Sequence, residues 1–306
     1  MTAIALPILR LPHNSLQLSL KQMSLVEHLT LSFISNKTKQ LIKISMKNYD
    51  IAQIFMGLPI SIEFDSRSID YPSIIFDFNP DQEIVRIYNS EQNGSITELN
   101  LPGITEKQWI EHISSVLIQN RKVVLISSLS ERKIEDIYDS IKELDIVALH
   151  MISSQFQDCN LLKLFPTLEE LTVSENPLSA PIFAQNFQSL TAPNVAFDNI
   201  FFSNCINLVL YHQVISDKDL NIFMRNWIKG SNPRLRKLTN ASNEHNRVIV
   251  ESVFFQGIAY IETRDYCDED TFDKEFEIKS EDGVKAKVIL TTFEEQGVGD
   301  GESEKC

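Results

Sequence analysis

The sequence predicts an α/β protein: a short N-terminal set of helices, then a domain in which strands and helices alternate, as a leucine-rich-repeat-like stack or a mixed sheet. Three observations lead there. Apolar residues recur at helical spacing in the first fifty residues; after Asp50 segments rich in β-branched and aromatic residues take over; from Thr105 onward strand-like and helix-like runs take turns. With 43% apolar residues in 306, the chain has enough apolar surface to offset the ordering entropy of one large domain or two smaller ones. A wholly disordered or collagen-like chain is excluded.

The helices come first. Pro12 suits the first turn of a helix, where a missing N–H costs nothing, and Leu16, Leu20 and Met23 follow on one stripe. Ser24 and Glu27 form a capping box that opens a second helix, with Leu25, Leu29 and Phe33 along one side and Leu31 beside them. Ser35-Asn36 offers a cap for a third helix, Lys37 to Ile44, with Thr38, Leu41, Ile42 and Ser45 at turn spacing. Strands are expected at Ile60 to Phe64, Ile74 to Phe78 and Glu83 to Tyr88, which places a domain boundary near Asp50. Thr105 and Gln108 make a second capping box, ahead of Trp109, Ile113, Val116 and Leu117 on one helical face. Lys122 to Ile126 reads as strand, Ser130 caps a helix bearing Ile134, Ile137, Ile141 and Leu144, and Ile146 to Ile152 returns to strand. Such alternation implies parallel strands linked by crossover helices.

Leu168 to Val173, Ile206 to Leu210 and Leu235 to Leu238 resemble repeated short strands, the first and last sharing an L-x-x-L step. In a degenerate leucine-rich-repeat-like stack those leucines would point inward, each strand covered by its own helix. Their spacings are unequal, so an ordinary α/β sheet is the alternative. Between the last two lies the best-defined helix: Ser216 as cap, Asp219 three residues on, an apolar face of Leu220, Phe223, Trp227 and Ile228, Gly230 as left-handed stop and Pro233 beyond. Val248 to Phe255, Ala259 to Thr263, Phe276 to Lys279 and Val284 to Thr292 read as closing strands. The expected organisation is a helical domain over 1–50, an α/β domain over 51–296 and a disordered acidic tail over 297–306.

The net charge of −14 is unevenly spread. Residues 1–50 carry six Lys or Arg against Glu27 and Asp50, whereas residues 262–306 carry fifteen Asp or Glu against six Lys or Arg. Most of the molecule would repel nucleic acid, so that class of partner is excluded. The acidic end reads as a solubilising face. No apolar run approaches the roughly 20 residues needed to cross a bilayer, and Met1 to Pro12 lacks a signal-peptide core. The expectation is a protein that neither spans nor binds membrane, in the cytoplasm or nucleus. Cys159, Cys205, Cys267 and Cys306 are far apart, as inert thiols would be, and the sequons at Asn36, Asn93 and Asn240 are treated as chance.

Chemistry is sparse. No G-x-S-x-G elbow, P-loop or H-E-x-x-H occurs, and the histidines at 13, 28, 112, 150, 212 and 245 are scattered. Asp265, Asp268, Glu269, Asp270 and Asp273 offer oxygen ligands at short spacing but lack the mid-loop Gly and final Glu of a calcium loop. Gly297 to Gly301 is glycine-rich with no helix after it. No metal, no cofactor and no catalytic residue is expected.

The run Leu6-Pro7-Ile8-Leu9-Arg10-Leu11-Pro12, with Leu16, Leu20, Met23, Glu27, Leu31-Ser32, Ser35, Lys37, Lys39 and Leu41 after it, resembles an F-box. Trp227-Ile228-Lys229-Gly230-Ser231-Asn232-Pro233-Arg234-Leu235 resembles the signature of the nematode F-box-associated domain of the second type. The first likeness covers residues 6 to about 46, the second roughly 195 to 255. The resemblance implies a non-catalytic substrate receptor of a Skp–cullin–F-box ubiquitin ligase, which binds a Skp-family adaptor, and through it a cullin, at one end and an unknown target protein at the other. A helix trio of this size is too small to enclose its own core. Leu11, Pro12, Leu16, Leu20, Met23 and Leu29 are therefore the residues expected to face the adaptor. The alternatives are that part of this stripe packs on the chain's own α/β body, as a ligase-independent scaffold would have it, or that the α/β domain is an enzyme. Trp227, at helical spacing with Leu220 and Phe223, is expected in the core.

Overall fold

The computed structural model describes residues 10–45, 51–56, 60–65, 74–79, 83–89, 96–100, 102–117, 123–127, 138–139, 141–152, 161–174, 178–211, 215–242, 250–267 and 271–293. The chain divides into two compact units, Met1–Val147 and Ala148–Cys306. Among the described residues no helix is long and apolar enough to cross a membrane.

The first unit opens with three helices, α1 (His13–Gln22), α2 (Leu25–Ile34) and α3 (Asn36–Ser45). Pro12 stands one place before α1, as its N-cap, and not inside the first turn. The Ser24–Glu27 capping box forms as expected: the Ser24 hydroxyl accepts from the Glu27 amide at 3.3 Å, and the Glu27 carboxylate accepts from the Ser24 amide at 2.7 Å. Ser35 caps α3 with the help of Thr38.

Strands β1 (Ile51–Phe55), β2 (Ile60–Asp65), β3 (Ile74–Asn79), β4 (Ile84–Asn89) and β5 (Ile96–Asn100) form an antiparallel meander, and β6 (Val123–Ser127) lies parallel to β1. The sequence reading missed β1 and β5. Registry aligns Leu125, Ile54, Ile62, Phe76 and Ile87 in one buried row. Helix α4 (Glu106–Leu117) supplies buried Trp109, Ile113, Val116 and Leu117, with Trp109 stacked on Phe78 at 5.5 Å. Its capping box is Thr105 and Gln108, as read from sequence. Most of the helix expected after Ser130 lies outside the described residues. Strand β7 (Ile146–Met151) spans the division between the units.

In the second unit β8 (Glu170–Val173), β9 (Ser189–Pro193), β10 (Asn207–Tyr211) and β11 (Lys237–Ser242) follow β7, each parallel to the one before it. Short helices α5 (Leu161–Leu164), α6 (Ala180–Phe183) and α7 (Phe197–Phe201), and the longer α8 (Asp217–Ile228), occupy the connections. Parallel strands in chain order with helices in their connections, followed by antiparallel strands, make this a mixed sheet of the α/β class. With β9, which the sequence reading overlooked, Leu171, Leu190 and Leu208 stand at nearly equal steps, while the step from Leu208 to Leu238 stays longer, so the spacing is unequal as read.

Registry lines up Leu149, Leu171, Leu190, Leu208 and Leu238, all buried, and continues the row to Val288 on β14 (Lys285–Phe293) and Phe276 on β13 (Thr271–Lys279). Alternate residues point to opposite faces of a strand, so these leucines share one face. They make the core together with Phe183, Ile200, Phe223 and Trp227 from the helices. Each buried leucine contributes roughly 1.5–3 kcal/mol. Strands β14, β13 and β12 (Tyr260–Cys267) close the sheet as an antiparallel ribbon. At the end of β9 Pro193 has no N–H to give, and the Tyr211 hydroxyl donates instead to the Val173 carbonyl two strands away.

One expected strand is a helix. Within Val248 to Phe255, residues Glu251–Phe254 form α9, because Phe254 and Phe255 are both buried and neighbouring residues of a strand would face opposite ways. Asn221 of α8 holds this turn, donating to the carbonyls of Phe254 at 2.7 Å and Gln256 at 3.0 Å.

Candidate functional site

The N-terminal helices lie within the first compact unit, Met1–Val147. Helices α2 and α3 pack on α4, and α2 also meets β5. Phe33 stacks on His112 at 3.7 Å, and the ring nitrogen Nε2 of His112 lies 2.8 Å from the Ser32 hydroxyl. That hydroxyl donates its one hydrogen to the Leu29 carbonyl at 2.6 Å, so Nε2 carries the hydrogen it gives to Ser32. Burial, then the charges of Lys39 and Lys43, hold the His112 pKa down to about 4. Burial likewise lowers the pKa of Lys39, with Lys43 adding to it.

The residues expected to face a partner fall into two groups. Leu16, Leu20 and Leu29 are buried within the chain, at 8%, 3% and 1% exposure, beside Thr38 and Ile42. Those three are covered within the chain itself, in a small core of the helix trio on which α4 also packs. Leu11 and Met23 are half-buried and Pro12 is exposed. Leu18, 63% exposed, and Ile34 and Ile44 were not singled out from sequence. The signal was there, since Leu18 is an apolar residue out of phase with the Leu16–Leu20 stripe.

Around α8 five positions of the Trp227–Leu235 run have structural tasks, Trp227, Gly230, Ser231, Asn232 and Leu235. Trp227 is buried, as expected. Gly230 adopts φ +99° and ends the helix in a Schellman motif, its amide donating to the Trp227 carbonyl and the Ser231 amide to that of Asn226. Asn232, itself at φ +48°, turns its buried amide onto the carbonyls of Ile200, Phe201 and Ser203 at 3.3, 3.3 and 2.6 Å. It thereby ties the end of α7 to the turn leading into β11, where Leu235 is buried.

Among the described residues no group of three or more His, Cys, Asp or Glu side chains is placed to hold a metal ion. His13, His28, His112 and His150 lie on separate elements. Asp268, Glu269 and Asp270 of the acidic cluster and the Gly297 to Gly301 run lie outside the described residues. Cys205 is a buried free thiol whose pKa burial pushes up.

Residues 8–49 match the F-box domain and residues 180–239 the F-box associated family. Over 292 residues the chain is 38% identical to the F-box associated domain-containing protein sdz-33 of Caenorhabditis elegans, covering 94% of this chain and 95% of that protein. The chain belongs to this family of F-box associated domain proteins. No solved structure matches it. The F-box is then α1 to α3, seated on α4, and the F-box associated segment runs from α6 through β9, α7, β10 and α8 into β11. The run from Trp227 to Leu235 lies inside that segment, and it stops one helix, caps another and starts a strand.

Proposed function

We propose that this F-box protein is a substrate-recognition subunit of a Skp–cullin–F-box ubiquitin ligase, acting in the cytoplasm or nucleus. Its F-box holds a Skp-family adaptor, and through it a cullin, while the α/β domain holds a target protein. The chain performs no chemistry in this reading; it raises the local concentration of target beside the transfer machinery. The supporting observation is the apolar surface left on the F-box, with Leu18 and Pro12 exposed and Leu11 and Met23 half-exposed after Leu16, Leu20 and Leu29 have been taken into the core. The basic balance of residues 1–50 would speed encounter with an acidic adaptor.

Co-expression with a Skp-family adaptor, followed by affinity purification and light scattering, tests the proposal. The expected result is a one-to-one complex, weakened at least tenfold by the double substitution Leu11→Ala and Pro12→Ala while the circular dichroism spectrum is unchanged. Failure of the intact chain to recover any adaptor would count against it. That outcome would favour the second reading, a ligase-independent scaffold, which draws on the seating of α2 on α4 through Phe33, Ser32 and His112.

A further inference from the structure

From Lys218 to Lys237 the chain holds six basic residues against Asp219 alone, inside a protein of net charge −14. Three of the six, Lys218, Arg225 and Lys229, share one stripe of α8 with Ile222, because steps of four, three and four residues return to the same side of a helix. The opposite side carries the buried residues Leu220, Phe223, Met224 and Trp227. The stripe therefore faces outward, about 16 Å long. Lys218, Arg225 and Lys229 are exposed, and none has an ion-pair partner among the described residues. Ile222, 47% exposed, stands among them. Three cations of the closing ribbon differ: Lys285 is paired with Glu277 at 2.7 Å, Lys287 with Glu275 at 2.8 Å and Lys274 with Glu251 at 2.6 Å.

We infer that the outer stripe of α8 is a docking surface for an acidic segment of a partner protein, one that sets carboxylates against Lys218, Arg225 and Lys229 and an apolar side chain on Ile222. Unpaired cations flanking an apolar residue supply both orientation and a desolvated centre, the arrangement found where charge complementarity sets register and a buried contact sets lifetime. A nucleic acid could use the cations but not the isoleucine, and the rest of the molecule would repel it. The inference deepens the target-binding half of the proposed function and does not depend on the adaptor half.

The test is fluorescence anisotropy with the full chain and three labelled probes: a peptide with Asp and Glu residues around one leucine, its counterpart with Lys for each carboxylate, and a single-stranded oligonucleotide. The acidic peptide should bind at least tenfold more tightly than either other probe. Lys218→Gln, Arg225→Gln and Lys229→Gln together should weaken it at least tenfold, and Ile222→Ser alone at least threefold. All four positions are exposed, so the variants should keep the wild-type thermal midpoint and adaptor recovery. Equal binding of oligonucleotide and acidic peptide, or an affinity within twofold of wild type in the triple variant, would overturn the inference. Loss of adaptor recovery with intact peptide binding would instead strike only the ligase reading.

Discussion

Asn232 and Asn240 show how differently one residue type can serve the same fold. The Asn232 side chain spends both amide hydrogens on backbone carbonyls at the end of α7 while its backbone takes a left-handed turn that few residues adopt. Asn232→Ala is expected to lower stability by about 2–3 kcal/mol, since it takes the side-chain donor from those carbonyls and puts alanine at positive φ. Asn232→Gly, which relieves only the backbone, should cost less, and urea unfolding of the two variants measures the difference. Asn240 is fully buried in the row formed with Ala192, Leu210 and Leu290, and neither polar atom of its side chain has a partner among the described residues. Asn240→Leu should therefore raise the unfolding free energy by about 1–2 kcal/mol, as an unmet amide leaves the core. A fall in stability would show that the pocket needs a polar occupant. The sequence offered Asn240 only as part of a sequon. Nothing local to that residue reports that two neighbouring strands enclose it.

At the scale of elements, the signals that could be read were those complete within four residues. The capping boxes at Ser24 and Thr105, the Ser216 cap and the glycine stop at Gly230 all form, because each is a bargain between side chains and backbone a turn away. Strand β9 and helices α5 to α7 went unseen, being too short to show a period. The α2–α4 contact was equally hidden, as Ser32 and His112 meet only in space. It carries a testable pH dependence. An unfolded histidine takes up a proton near 6.5, whereas His112 resists until about 4. The unfolded state therefore binds the extra proton first, and stability that is full above 6.5 is lost as pH falls towards 4. Burial shifts His28 and His150 the same way. The urea midpoint is expected to fall between pH 7.5 and pH 5, and His112→Phe, which keeps an aromatic ring against Phe33, should flatten part of that slope. An unchanged slope in the variant would assign the effect to the other two histidines.

For the whole molecule, the α/β class was legible because alternation of strand and helix survives irregular spacing. The run of parallel strands in chain order was not, since it depends on β9 and on the shared registry of Leu149, Leu171, Leu190, Leu208 and Leu238. The candidate surfaces were legible in part. Leu11, Pro12 and Met23 keep exposed surface, while Leu16, Leu20 and Leu29 do not, because amphipathic spacing identifies an apolar side without saying whether the same chain covers it. The row of leucines has one more implication. Each rung packs mainly on the rungs beside it, the Tyr211 hydroxyl reaching one strand further, so a strand with its helix can be gained or dropped as a module at the loss of few other contacts. Such a protein can be lengthened by duplication in whole steps, and its recognition surface can diversify at the pace of its partners without the scaffold having to be reinvented.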